Sequence, residues 1–116
     1  MNRKKQIRKG DVYLANLDPT VGAEIKKTRP VIVVSNNVIN QYSQLVVIVP
    51  LTRNISKVSP SHVVFKERIG GLNQPSKVLT EQIRAMDKQR LHKKLGSLRK
   101  DELQKLEGAL KNTLDM

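Results

Sequence analysis

The run Pro30-Val-Ile-Val-Val-Ser35 constrains this chain more than any other segment. Its consecutive β-branched residues are stiff at χ1 and pack well on a pleated surface, so the run predicts a strand. Apolar and polar side chains do not alternate within it, and such a strand needs cover on both faces. Leu45-Val-Val-Ile-Val-Pro50-Leu51 repeats the pattern, with Pro50 expected to mark a bulge or a strand end.

Shorter signals surround these two runs. Val12-Tyr-Leu-Ala-Asn-Leu17 reads as a first strand, closed by a turn at Asp18-Pro19. Residues 36–43 are polar and predict a turn or short helix, and residues 53–59 a loop. His62-Val-Val-Phe-Lys66 reads as a strand followed by a Gly70-Gly71 turn, and residues 77–86 as a strand or bent strand pair. Short strands joined by polar turns are the pattern of a small β-barrel. The period then changes: Leu103, Leu106, Leu110 and Leu114 recur at helical spacing, which predicts an amphipathic helix over Lys100–Leu114 packed on the sheet. Arg99 and Lys100 stand where a capping side chain is expected, so Asp101 is the expected cap or first-turn acid. The fold class is therefore mainly β with α. A single domain is expected over residues 9–116, preceded by a flexible basic arm over residues 1–8.

Charge narrows the partner. Twenty-two Lys and Arg against ten Asp and Glu give a formal charge of +12 in 116 residues. Polyanions are the natural ligands of such a surface, because each neutralised phosphate releases a condensed counterion. One Phe, two Tyr and no Trp argue against an aromatic base-stacking platform and against a membrane-surface helix. No run is long and apolar enough to span a bilayer, no secretory h-region follows Met1, and cysteine is absent, so a cytoplasmic protein without membrane contact is expected.

The loop between the first two strands carries Gly22-Ala-Glu24 and Lys26-Lys-Thr-Arg29-Pro30. Antiparallel pairing of the second and third strands, estimated from their ends, sets Pro30 against Pro50 and brings Arg29 beside Leu51 and Thr52. A guanidinium and a hydroxyl would then share one rim of the sheet, next to Glu24, Lys26 and Lys27. That combination suits a phosphate, which accepts a planar fork of donors and one more from a hydroxyl. Taken singly, an arginine before a strand is a surface charge and a threonine opening a loop is a turn former; adjacency is what argues for a site.

Gly10-Asp-Val-Tyr-Leu-Ala-Asn-Leu-Asp-Pro-Thr-Val-Gly-Ala-Glu24, Thr28-Arg-Pro-Val-Ile-Val-Val-Ser-Asn-Asn37, Val49-Pro-Leu-Thr52 and Glu81-Gln-Ile-Arg-Ala-Met-Asp87 resemble the MazF/PemK toxins. The resemblance implies an SH3-like β-barrel (MazF/CcdB-like) with a C-terminal helix, a homodimer, and a cognate acidic antitoxin that neutralises it. It also implies a sequence-specific endoribonuclease using neither metal nor cofactor, which cleaves single-stranded RNA to a 2′,3′-cyclic phosphate and a 5′-hydroxyl. Residue by residue, Arg29 and Thr52 match the family's catalytic pair. Glu24, Lys26, Lys27 and Thr28 fall in the loop covering the RNA groove, Arg53 opens the loop expected to help set sequence preference, and Glu81 and Gln82 match base-contacting positions. Leu79 and Glu81 stand where one branch of the family has Arg and Asp, so that branch's acid–base assignment does not transfer; the histidine some relatives carry near the first loop is missing as well.

His62 and His92 are the only conventional neutral-pH bases, and both are expected to be structural or exposed. Two rival readings remain at this point: a gyrase-inhibiting toxin of the CcdB type without nuclease activity, and a non-catalytic RNA-binding module.

Overall fold

The computed structural model describes residues 6–57, 59 and 61–116. Among the described residues, seven strands and two helices follow in the order β1 (Asp11–Asn16), β2 (Thr28–Val33), α1 (Asn37–Tyr42), β3 (Leu45–Thr52), β4 (Val63–Phe65), β5 (Ser76–Val78), β6 (Arg84–Asp87), β7 (Leu91–Ser97) and α2 (Lys100–Leu114). Single 3-10 turns at Thr80–Gln82 and Lys88–Arg90 connect β5, β6 and β7. All pairings are antiparallel, and the sheet runs β4-β5-β3-β2-β1-β7, with β6 added on β3.

β2 has the double cover its sequence demands. Val31 and Val33 enter one apolar cluster with Tyr13, Ala15, Leu17, Ile48 and Met86, while Ile32 enters another with Val12, Val49, Leu51, Phe65 and Val78. The second cluster is closed by α2, through fully buried Leu106 with Leu103 and Leu110 beside it. Burying an aliphatic side chain of this kind contributes about 1.5–3 kcal/mol, so α2 is held by its apolar stripe more than by its ends. Those ends are nevertheless finished. Arg99 takes the N-cap position, its backbone N–H donates to the Glu102 carboxylate at 2.8 Å, and Asp101 is a first-turn acid bonded to the Arg99 side chain at 3.2 Å. That bond holds the Asp101 carboxyl below its ordinary value.

Pro50 lies inside β3 and marks a change of partner. Residues Leu45 to Ile48 pair with β6, whereas Leu51 and Thr52 pair with β5. Proline offers no N–H to a ladder, and its carbonyl accepts from Leu79 N–H at 2.9 Å, between the two pairings. The observed β2–β3 register sets Val31 against Pro50, one residue from the expected pairing of Pro30 with Pro50. Strand ends misled the estimate because β2 begins two residues earlier, at Thr28, where it pairs with Asn16 of β1.

No ladder joins β4 to β7 among the described residues, so the sheet is open at that seam. The chain after β4 approaches β7 closely. Gly71, at φ +81°, lies so near that a Cβ there would come within 1.8 Å of the Leu95 carbonyl, and Gly70 and Gly96 are likewise too close for side chains. Of the arm expected over residues 1–8, residues 1–5 lie outside the described residues; Ile7 is buried in the first cluster, and Arg8 N–H donates to the Asp11 carboxylate at 2.9 Å. No helix among the described residues is long and apolar enough to cross a membrane.

Candidate active site

Continuing the observed register outward from Val31 and Pro50 sets Arg29 opposite Thr52. Directly opposed residues of antiparallel strands point to the same face. The one-residue correction therefore matters, since the expected register would have set Arg29 against Leu51. Arg29 and Thr52 both line a cleft of about 310 Å³, together with Thr28, Arg53, Asn73 and Gln74.

The two side chains are held lightly. Arg29 is half-buried and donates Nε–H to the Lys26 carbonyl at 3.1 Å. Among the described residues its terminal guanidinium nitrogens have no protein acceptor and no paired carboxylate. Thr52 Oγ1 accepts the Asn54 N–H at 3.2 Å, which leaves the hydroxyl hydrogen available to a ligand. Arg53 is exposed on the same rim. The result is a concave wall of cationic and hydroxyl donors, matched to a phosphate.

A second, smaller cleft of about 150 Å³ is lined by Leu17, Glu24, Ile25, Pro50, Glu81, Gln82, Ile83 and Arg84. Here the polar groups are fastened. Gln82 Oε1 accepts the Ile25 N–H at 2.7 Å, and Arg84 donates to the Leu17 carbonyl at 3.1 Å. Arg90 donates to the Asp18 carbonyl, and Glu81 is bonded to His62. Glu24 serves its own turn, its carboxylate accepting the Val21 N–H at 2.5 Å beside Gly22 at φ +59°.

The loop from β1 to β2 spans the two clefts. Lys27 adopts a left-handed φ of +70°, uncommon outside glycine, and its carbonyl accepts the Leu17 N–H at 2.9 Å. The Lys26 and Lys27 side chains are exposed on this strap.

The residues singled out from sequence thus divide. Thr28, Arg29, Thr52 and Arg53 meet in one cleft, Glu24, Glu81 and Gln82 in the other, and Lys26 and Lys27 lie between. Sequence reasoning missed Arg84 and Arg90 as anchors of the loop. It also missed the partner of His62, whose side chain is 11% exposed and contacts Glu81. Only the β4–β5 register, with Val63 opposite Val78, brings those two together. Among the described residues no group of three or more His, Asp or Glu is placed to hold a metal ion.

Known proteins share this fold. The family model for the PemK-like, MazF-like toxin of type II toxin-antitoxin systems matches residues 8–114. Among solved structures, MazF from Deinococcus radiodurans superposes with a TM-score of 0.83 at 25% identity, over 97% of this chain and 100% of that one. An endoribonuclease in complex with its cognate antitoxin, from a mycobacterial species, superposes at 0.77 with 25% identity over 97% of both chains. A second mycobacterial endoribonuclease gives 0.78 at 25% identity, over 97% of this chain and 94% of that one.

Proposed function

The chain belongs to the family of PemK-like, MazF-like toxins of type II toxin-antitoxin systems, and on that premise we propose that it is a sequence-specific, metal-independent endoribonuclease acting on single-stranded RNA. The observation that carries the proposal is the shared cleft of Arg29 and Thr52, with guanidinium nitrogens and a hydroxyl hydrogen free for a ligand. RNA supplies its own nucleophile. The 2′-oxygen attacks the adjacent phosphorus and loses its proton, the bond from phosphorus to the 5′-oxygen breaks, and that oxygen gains a proton. The products are a 2′,3′-cyclic phosphate and a 5′-hydroxyl.

Negative charge builds on the phosphorane oxygens along this path, and fixed donors aimed at it lower the barrier. Arg29, a planar permanent cation, clamps those oxygens, and Thr52 donates one further hydrogen bond. Glu24, Thr28, Arg53, Glu81 and Gln82 take the flanking nucleotides, while Lys26 and Lys27 attract the backbone. Unstacked bases read on their edges give the sequence preference.

The same proposal includes an SH3-like reading of the fold: an open barrel whose seam is covered where the Gly70-Gly71 turn rests on β7. It includes a homodimer, supported by exposed Val38 and Tyr42 on α1 and Leu45 at the start of β3, which a second copy could bury. An acidic antitoxin that neutralises the toxin complements the formal charge of +12. A cytoplasmic location follows from an RNA substrate of this kind.

Incubating the purified protein with long single-stranded RNA in EDTA, then mapping 5′-hydroxyl ends, tests the reading. Cuts recurring at one short sequence are expected. Binding without cuts, or no interaction with RNA, would overturn it.

A further inference from the structure

His62 sits outside the Arg29 cleft and has no part in the chemistry above, yet it is among the most firmly placed polar side chains in this region. Its Nδ1 accepts the Ser59 N–H at 3.4 Å, and its Nε2 faces Glu81 Oε2. A neutral imidazole that accepts at Nδ1 carries its hydrogen on Nε2. Ser59 therefore selects the tautomer that donates to Glu81.

The surroundings make the ring a rigid post. The segment that leaves Thr52 is fastened from the β5 side at Lys57 and at Ser61. Buried Lys77 donates to the Lys57 carbonyl, and buried Thr80 donates to the Ser61 carbonyl at 2.8 Å. The Thr80 hydroxyl in turn accepts from Thr113 of α2 at 2.8 Å. Glu81 follows Thr80 in the 3-10 turn Thr80–Gln82, and its side chain is 48% exposed against 11% for His62.

One carboxylate oxygen is thus taken. The other, Oε1, has no partner among the described residues, and Glu81 lines the smaller cleft beside Gln82. Gln82 spends its own oxygen on Ile25 N–H, which leaves its amide hydrogens to donate. A single fixed acceptor next to a fixed donor complements the hydrogen-bonding edge of one unstacked base. A free glutamate would offer both oxygens in several rotamers and would discriminate less.

We propose that His62 is a positioning residue for sequence recognition: it holds Glu81 so that one oxygen alone reads a base in the smaller cleft. This rests on the endoribonuclease reading and extends it to a residue that touches neither the scissile phosphate nor the base. The ring also ties the loop leaving Thr52 to the recognition turn, so one side chain links the two clefts.

Maps of 5′-hydroxyl ends on long RNA, combined with kinetics on a cognate oligonucleotide, decide the matter. His62→Ala should relax the preference at one base position by about ten-fold, the loss typical of a hydrogen bond to a charged group. It should raise KM for the cognate oligonucleotide more than it lowers kcat. Glu81→Ala should relax the same position, and the double variant should be no worse than Glu81→Ala alone. His62→Gln, which keeps an amide donor, should restore most of the preference. Ser59→Pro, which removes the tautomer-setting N–H together with the hydroxyl that accepts the Ser61 N–H but keeps His62 and Glu81 themselves, should relax the same position and carries the test should His62→Ala fail to fold. An unchanged site map in the folded His62→Ala variant, or in Ser59→Pro should that variant not fold, overturns the proposal and leaves the pair a structural one. Absence of any cutting by the wild-type protein instead removes the endoribonuclease reading, so the two failures are distinct.

Discussion

The two clefts at the ends of β2 and β3 are built in opposite ways. In the larger one, Arg29 has one bond to a loop carbonyl and Thr52 one bond from a loop amide. In the smaller one, Gln82, Arg84 and Glu81 are each tied to backbone or to the His62 ring. The difference matches two tasks. A group that must follow charge as it builds on a phosphate gains from donors left unspent, whereas a group that must reject wrong bases gains from being unable to turn. The lightly held cleft is read as the chemical one and the fastened cleft as the selective one.

Arg29→Ala is the most severe way to break that contrast. Loss of one preorganised donor to a developing oxyanion costs about 10²–10³ in kcat, so single-turnover cleavage should fall by that order. Arg29 has no ion pair among the described residues, and its one bond is exposed, so the melting temperature should stay near wild type. Arg29→Lys should recover only part of the rate, because an ammonium cannot present a planar fork. Full cleavage by Arg29→Ala would remove the larger cleft from the chemistry.

Thr52→Val keeps the shape of the side chain and removes the donor. A neutral hydrogen bond to a charged oxygen is worth about 1.5–3 kcal/mol, so a fall of roughly ten- to hundred-fold in kcat is expected. The orphaned Asn54 N–H is exposed and can turn to water, so stability should change little. A drop in KM-linked binding with kcat intact would move Thr52 from the chemical group to the binding group.

The two clefts also differed in how far sequence could reach them. The β-branched run of β2 and the leucine spacing of α2 were legible because each imposes its own period, and the helix bounds Lys100–Leu114 came out as expected. Arg29 and Thr52 were legible as neighbours because they end two such strands, although the exact pairing needed the one-residue correction of register. The smaller cleft needed contacts that no local pattern carries. Gln82 meets Ile25 across 57 residues, Arg84 meets Leu17 across 67, and His62 meets Glu81 across 19. β7 went unread for a related reason. Leu91-His-Lys-Lys-Leu-Gly-Ser97 has neither alternation nor β-branched residues, and it is a strand because β1 offers it an edge. Its exposed lysines are the usual protection of an edge strand.

Gln82→Leu sharpens the contrast from the selective side. The part-buried Ile25 N–H loses its acceptor, at a cost of about 1–3 kcal/mol. The β1–β2 loop should then loosen, seen as faster amide exchange and faster proteolytic nicking near residues 20–27. Cleavage should lose discrimination before it loses rate. A fall in kcat as deep as that of Arg29→Ala would mean that the two clefts are one functional unit, and the division of labour would fail.

The smallest effect belongs outside both clefts, at the start of α2. Arg99 bonds the Asp101 carboxylate and holds its carboxyl below the ordinary value. A carboxyl depressed in the folded state adds stability that is fully present above its unfolded value, about 3.9, and fades as pH falls through the folded value. Melting temperature should therefore decline in acid below about pH 4, and Asp101→Asn should shallow that decline. The pair is exposed, so the change should be slight. Neither the rate nor the site map measured at neutral pH should move with Asp101→Asn, since Asp101 lines neither cleft. A shifted site map in that variant would show that the fastening of the smaller cleft extends along the whole helix rather than ending at the Thr80–Gln82 turn.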